Sequence, residues 1–205
     1  MLAAPLLALA LAAAPAAGPT GVVKDGNAEV RKILDSTDAS VEKLAARAEE
    51  FVDFVELAKR ALGKEWGKLN KKQQDEFAQT MKGLLRASYA QRALGDGKGG
   101  ATTEYGAEKI EGNEAVVSTT LVMKKDRFPV EYKLYRAGGK GPWRIYDVVT
   151  DAVSLVSTYQ DQFRQLIAKK GYDGLLATLK AKRDQLEKNQ SGAAAVPGTA
   201  VGTAK

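Results

Sequence analysis

The sequence predicts an α+β domain in two layers, a four-stranded antiparallel sheet covered on one face by helices. Three observations lead there. Apolar residues recur at helical spacing between positions 30 and 89, alternate at strand spacing between 101 and 149, then return to helical spacing. The alternating segments are joined by short turns, GN at 112–113, KD at 125–126 and GGKG at 138–141, which force an antiparallel meander. With 205 residues and 44% hydrophobic against 27% charged, the chain has the balance of one globular core plus tails. A curved sheet wrapped by helices can also enclose a cavity.

Residues 1–17, MLAAPLLALALAAAPAA, hold an apolar run at 6–14 of secretory h-region length, too short to span a bilayer. Ala14, Ala16 and Ala17 offer a cleavage site, although no Lys or Arg precedes the run. The segment reads as a signal peptide. Residues 25–188 read as a single domain, and the Gly/Pro-punctuated tail 189–205 reads as disordered.

Within the domain, residues 18–24 form a polar lead, and Val30, Ile33 and Leu34 open the first helix. Asp38 is a candidate cap for a helix with the stripe Val41, Leu44, Ala45 and Ala48. Asp53 can cap a helix carrying Phe54, Leu57, Ala58, Ala61 and Leu62, with Gly63 as its stop. Asn70 and Gln73 make a capping-box start for the longest helix, which carries Phe77, Met81, Leu84, Leu85 and Tyr89 and ends near Gly95.

Strands are predicted at 101–110, 114–124, 127–136 and 142–149. Val130, Tyr132 and Leu134 alternate with Glu131, Lys133 and Tyr135, so one face is apolar. Trp143, Ile145, Asp147 and Val149 are expected to share a face of the last strand. A helix over 154–170 then gathers Leu155, Val156, Tyr159, Phe163, Leu166 and Ile167. Gly171 ends it, and Asp173 caps a final helix to about Lys188.

The absences narrow the chemistry. No His means no imidazole base and no His-ligated zinc; no Cys means no disulfide, thiolate nucleophile or iron–sulfur cluster. The net charge of +6 is spread over helices that also carry Asp and Glu, which describes a solvated face rather than a nucleic-acid surface. Tyr132 and Trp143 lie on the core-facing pattern, not beside the cations, as a nucleic-acid platform would need. Asp147 and Asp151 are the acid/base pair to weigh, but helix capping is the simpler role for Asp151. Ser154 and Ser157 have no histidine to activate them. The glycines at 95, 97, 99 and 100 lack phosphate-loop spacing. Taken on the residues alone, the apolar stripes are packed core before they are ligand pocket.

A resemblance shifts that balance. Asp53-Phe54, Ala61-Leu62-Gly63, Trp66, Gln74, Phe77, Leu84-Leu85 and Tyr89 are followed by a second set of blocks. These are Tyr132, Trp143, Tyr146-Asp147-Val148, Val153-Ser154-Leu155, Tyr159, Phe163, Gly171 and Gly174-Leu175. In this order and spacing the chain resembles the MlaC-type periplasmic phospholipid carriers, also called toluene-tolerance auxiliary proteins. It departs from the family pattern at Ala152, where Gly is usual, and at Gln160, where Arg is usual.

The resemblance implies a non-enzymatic periplasmic monomer whose apolar cavity holds phospholipid as cargo, with no cofactor and no metal. It further implies partners: an inner-membrane ABC transporter complex bearing MCE domains, and an outer-membrane lipoprotein complex. Under it, Phe77, Met81, Leu84, Val130, Tyr132, Leu134, Ile145, Val149, Tyr159, Phe163 and Ile167 become the expected lipid-binding residues. The competing reading is a small-ligand binder or enzyme on a similar helix-backed curved sheet, for which Asp147 is the polar candidate.

Overall fold

The computed structural model describes residues 17–90, 93–94 and 100–194. Residues 1–16, 91–92, 95–99 and 195–205, and with them most of the segment read as a signal peptide, the glycines at 95, 97 and 99 and the end of the tail, lie outside the described residues. Helices α1 (Pro19–Leu34), α2 (Val41–Phe51), α3 (Phe54–Leu62) and α4 (Lys71–Leu85) precede the sheet. Strands β1 (Thr102–Glu111), β2 (Glu114–Met123), β3 (Asp126–Arg136), β4 (Trp143–Thr150) and β5 (Val153–Ser154) follow, and α5 (Leu155–Ala194) closes the chain. The sheet is an antiparallel meander in sequence order.

Local chemistry accounts for most boundaries. Asp53 accepts from the amides of Val55 and Glu56, and Asn70 and Gln73 form the reciprocal capping box. Gly63 ends α3 at φ 62°, a left-handed value that favours glycine. Four expectations are corrected. The first helix begins at Pro19 rather than after a polar lead; proline suits the first helical position because its missing N–H has no partner there anyway. The cap of α2 is Ser40, which accepts from the Lys43 amide, while Asp38 pairs with the Lys43 ammonium instead. The helix starting at Asn70 is not the longest: it passes at Arg86–Ala90 into a π-helical turn, and α5 exceeds it. Lastly, α5 runs past Lys188 to Ala194, with a non-helical break at Gly171 (φ 69°, ψ −178°) and no proline before Pro197.

The sheet has five strands, the fifth being a short hairpin partner of β4. Its turn, Asp151-Ala152, has both residues at positive φ, 49° and 62°. That is the backbone of a type I′ turn, where glycine is the unstrained choice and Ala152 is not. A bulge in β4 produces a second, larger consequence. Leu134 lies opposite Ile145, but Lys133 lies opposite Asp147, so Tyr146 is an extra residue. Alternation therefore flips: Trp143 and Ile145 share a face with Val148 and Thr150, whereas Asp147 and Val149 turn to the other side. The expectation that Trp143, Ile145, Asp147 and Val149 share one face is corrected on that ground.

Two apolar clusters result. One joins α3, α4 and α5 around Phe77, Met81, Phe163 and Leu175. The Phe77 ring meets Phe163 edge-on at 5.7 Å. The other joins Val23 of α1 to Ala115, Val117, Leu134, Trp143 and Ile145 of the sheet, with Phe51 and Val52 packed against it. The free edge of β4 is met by the α2–α3 junction, where the Asp53 amide donates to the Ile145 carbonyl at 2.8 Å. Arg60 of α3 stacks 3.7 Å from the Tyr146 ring centroid while pairing with Glu56 and Glu114. These contacts bind the helical layer to the sheet at the α2–α3 junction.

Candidate functional site

Between the two clusters lies a cavity of about 920 Å³ that reaches the α2–α3 junction at Val52 and Phe54. Helix α2 contributes Leu44, Ala45 and Ala48, α3 Leu57, and α4 Leu85. The sheet contributes Val148 and Thr150, while Val153, Leu155 and Tyr159 close the wall at the β5–α5 junction. The size falls within the roughly 300–1,000 Å³ of small-molecule sites. A groove of about 380 Å³ adjoins it, sharing Val52, Phe54 and Lys82 and adding Asp53, Tyr135 and Arg144.

Most of the charged groups on the cavity wall stand in ion pairs. Lys82 pairs with Glu49 at 3.1 Å, Arg86 with Glu187 at 3.0 Å and Arg183 with Asp184 at 2.7 Å. All are partly exposed, so they form a neutralised rim rather than a buried reactive cluster. Gly83 lets Arg183 lie against α4, since a Cβ there would stand 2.8 Å from its Cδ. Tyr159 lines the wall beside Tyr89. Burial, reinforced by the neighbouring Tyr89, pushes its hydroxyl up to about 12, so it stays neutral throughout the physiological range.

The acid/base pair weighed from sequence has no site to serve. Asp147, only 2% exposed, accepts from Ser154 Oγ at 2.6 Å and from the Val156 amide at 3.0 Å. Lys133 Nζ stands 3.3 Å from the same carboxylate. Asp147 is thus the cap and counter-charge at the start of α5, the role sequence reasoning gave to Asp151. Asp151 sits exposed in the turn before it. Ser154 Oγ in turn accepts from the Ser157 amide. Among the described residues no group of three or more acidic side chains could hold a metal.

The residues expected to touch lipid fall in four places. Phe77, Met81, Leu84 and Phe163 are buried in the helical cluster, with Ile167 packed against it. Leu134 and Ile145 are buried in the sheet cluster, where Tyr132 packs and donates from its hydroxyl to Asn27 at 3.3 Å. Val130 is buried on the same face, and Val149 on the opposite one. Of the eleven residues named from sequence, Tyr159 is the one that lines the cavity. The lining that sequence reasoning missed is partly small, Ala45 and Ala48, and partly hidden by the bulge, Val148. Gln160, one of the two departures noted above, donates to the Arg60 carbonyl at 3.4 Å and caps α3 from outside.

The fold is shared. The chain is similar to a phospholipid-binding protein from Ralstonia solanacearum whose structure was solved in complex with a phospholipid. The two superpose with a TM-score of 0.75 at 24% identity, covering 83% of this chain and 99% of that one. The model of the MlaC protein family matches residues 22–181, nearly all of α1 through most of α5. This chain therefore belongs to the MlaC protein family.

Proposed function

We propose that the protein binds a glycerophospholipid with its acyl chains in the cavity between sheet and helices. In this reading it is a carrier of the periplasm, exported by residues 1–17, with residues 25–188 acting as one lipid-binding unit. It shuttles phospholipid between the outer-membrane lipoprotein complex and the inner-membrane MCE-domain transporter, and so maintains outer-membrane lipid asymmetry. It is a binding protein rather than an enzyme.

The observation that carries this is an apolar cavity of about 920 Å³ separating two otherwise well-packed clusters. Left unfilled, a cavity of that size leaves its apolar walls facing water without packed contacts. Hydrocarbon restores them: each buried methylene contributes about 0.8 kcal/mol, so one acyl chain supplies on the order of 10 kcal/mol. Affinity drawn from the tails leaves the headgroup at the rim, where Lys82, Arg86 and Arg183 stand with their carboxylate partners. Membership of the MlaC family and the phospholipid held by the Ralstonia solanacearum protein support the same cargo. Mass spectrometry of an organic extract of the purified protein tests it. Phospholipid near one per chain is the expected result, and lipid-free protein contradicts it.

A further inference from the structure

The β2–β3 hairpin ends in Met123-Lys124-Lys125-Asp126-Arg127-Phe128, and every residue from Lys124 to Pro129 is exposed. Apolar side chains at such a tip stand out: Phe128 is 40% exposed, and Val153 of the neighbouring hairpin is 59% exposed. Register explains where they point. Phe128 lies opposite Leu121, and two residues on, Val130 lies opposite Thr150, one alternation from Val148 of the cavity wall. Phe128, Val130 and Val148 thus share one sheet face between the hairpin tip and the cavity, with Val153 exposed on the cavity wall.

The cations complete the pattern. Arg127 is held by Glu104 through a two-point ion pair, at 3.0 and 2.5 Å. Lys124 and Lys125 have no carboxylate within ion-pair distance among the described residues, and Asp126 is the single acid in the turn. The chain as a whole carries +6.

We propose that this tip docks on an anionic lipid bilayer, Lys124 and Lys125 reaching the phosphates while Phe128 enters the interface. An exposed aromatic flanked by cations is the chemistry of an interfacial anchor. A two-strand tip is also too small for the roughly 800 Å² per partner of a stable protein interface. Docked in this way, Val153, exposed and on the cavity wall, brings the cavity mouth toward the bilayer. The inference rests on the phospholipid-binding reading above.

Co-sedimentation of the full chain with vesicles tests it, using phosphatidylcholine alone against an equimolar mixture with phosphatidylglycerol. The wild type should favour the anionic vesicles, less so at high salt. Lys124→Glu with Lys125→Glu should lower that partitioning at least on the order of 30-fold, Phe128→Ser several-fold, and Lys124→Arg with Lys125→Arg should retain it. The apolar N-terminal run is common to all these proteins, so the differences among them are what is read. A charge-reversed protein that partitions like the wild type overturns the proposal. Lipid extracted from the same samples separates the two readings. An empty wild type refutes phospholipid binding, whereas loaded protein indifferent to the tip substitutions refutes the docking site alone.

Discussion

The two ends of the helical layer are built from the same kinds of residue and do opposite things. Where α4 meets α5, Phe77, Met81 and Phe163 fill the space between helices, and Phe77 is 0% exposed. Where α2 faces the β4–β5 corner, Ala45 and Ala48 stand opposite Val148 and Leu155, and a cavity opens. Both regions read as apolar stripes. What separates them is side-chain volume and the reach of neighbouring elements, because interiors close only when the volumes match. A cavity in this fold is a packed core from which bulk has been withheld at one end.

Truncation should strike the filled end hardest. Phe163→Ala is expected to cost about 3–5 kcal/mol, by chemical denaturation, because it removes a ring packed edge-on to Phe77. A loss under about 1 kcal/mol would show that this end too is loosely packed. Next comes the joint between the two regions. Asp147→Ala removes the cap of α5 and strands Ser154 and Lys133, for an expected loss of about 2–3 kcal/mol. Its effect on stability should exceed that of Asp151→Ala, which lies in an exposed turn.

A smaller effect of opposite sign is expected at the β4–β5 turn. Ala152→Gly relieves a left-handed alanine, worth about 1–2 kcal/mol, offset in part by the greater freedom of glycine in the unfolded chain. A net gain of up to about 1 kcal/mol is expected, and a loss would show that the turn is not strained. The smallest concerns Tyr159 on the cavity wall. Its folded pKa lies above its unfolded one, so the folded protein keeps this proton longer. Stability is then fully present below about pH 10 and is lost as pH rises toward about 12. Tyr159→Phe should flatten this alkaline loss in a pH series of thermal melts, relative to the wild type.

The contrast between filled and open ends also marks how far the sequence could be read. Caps and stops written in single residues were legible: Asp53, the Asn70–Gln73 box and Gly63 act where local chemistry places them. The first four strands were legible to within a residue or so, because short turns and period-two alternation constrain each other. Alternation failed on β4, where the extra residue at Tyr146 leaves no compositional trace yet sends Val148 toward the cavity and Asp147 away from it. The cavity lining stayed hidden for a related reason. Large apolar residues attract attention, and they are the ones that fill space; Ala45 and Ala48, which leave it, look like ordinary helix formers.

Two substitutions on one sheet face put the difference between filled and open ends to a direct test. Leu134, 0% exposed, is enclosed by the sheet cluster, whereas Val148 on the same face borders the cavity. An aspartate against hydrocarbon costs several kcal/mol unless water can reach it. Circular dichroism and lipid extraction on the same samples are the measurement. Leu134→Asp should unfold the domain, while Val148→Asp should stay folded and lose its phospholipid. A Val148→Asp protein that is folded and still carries phospholipid at the wild-type ratio would contradict the placement of the cargo in this cavity.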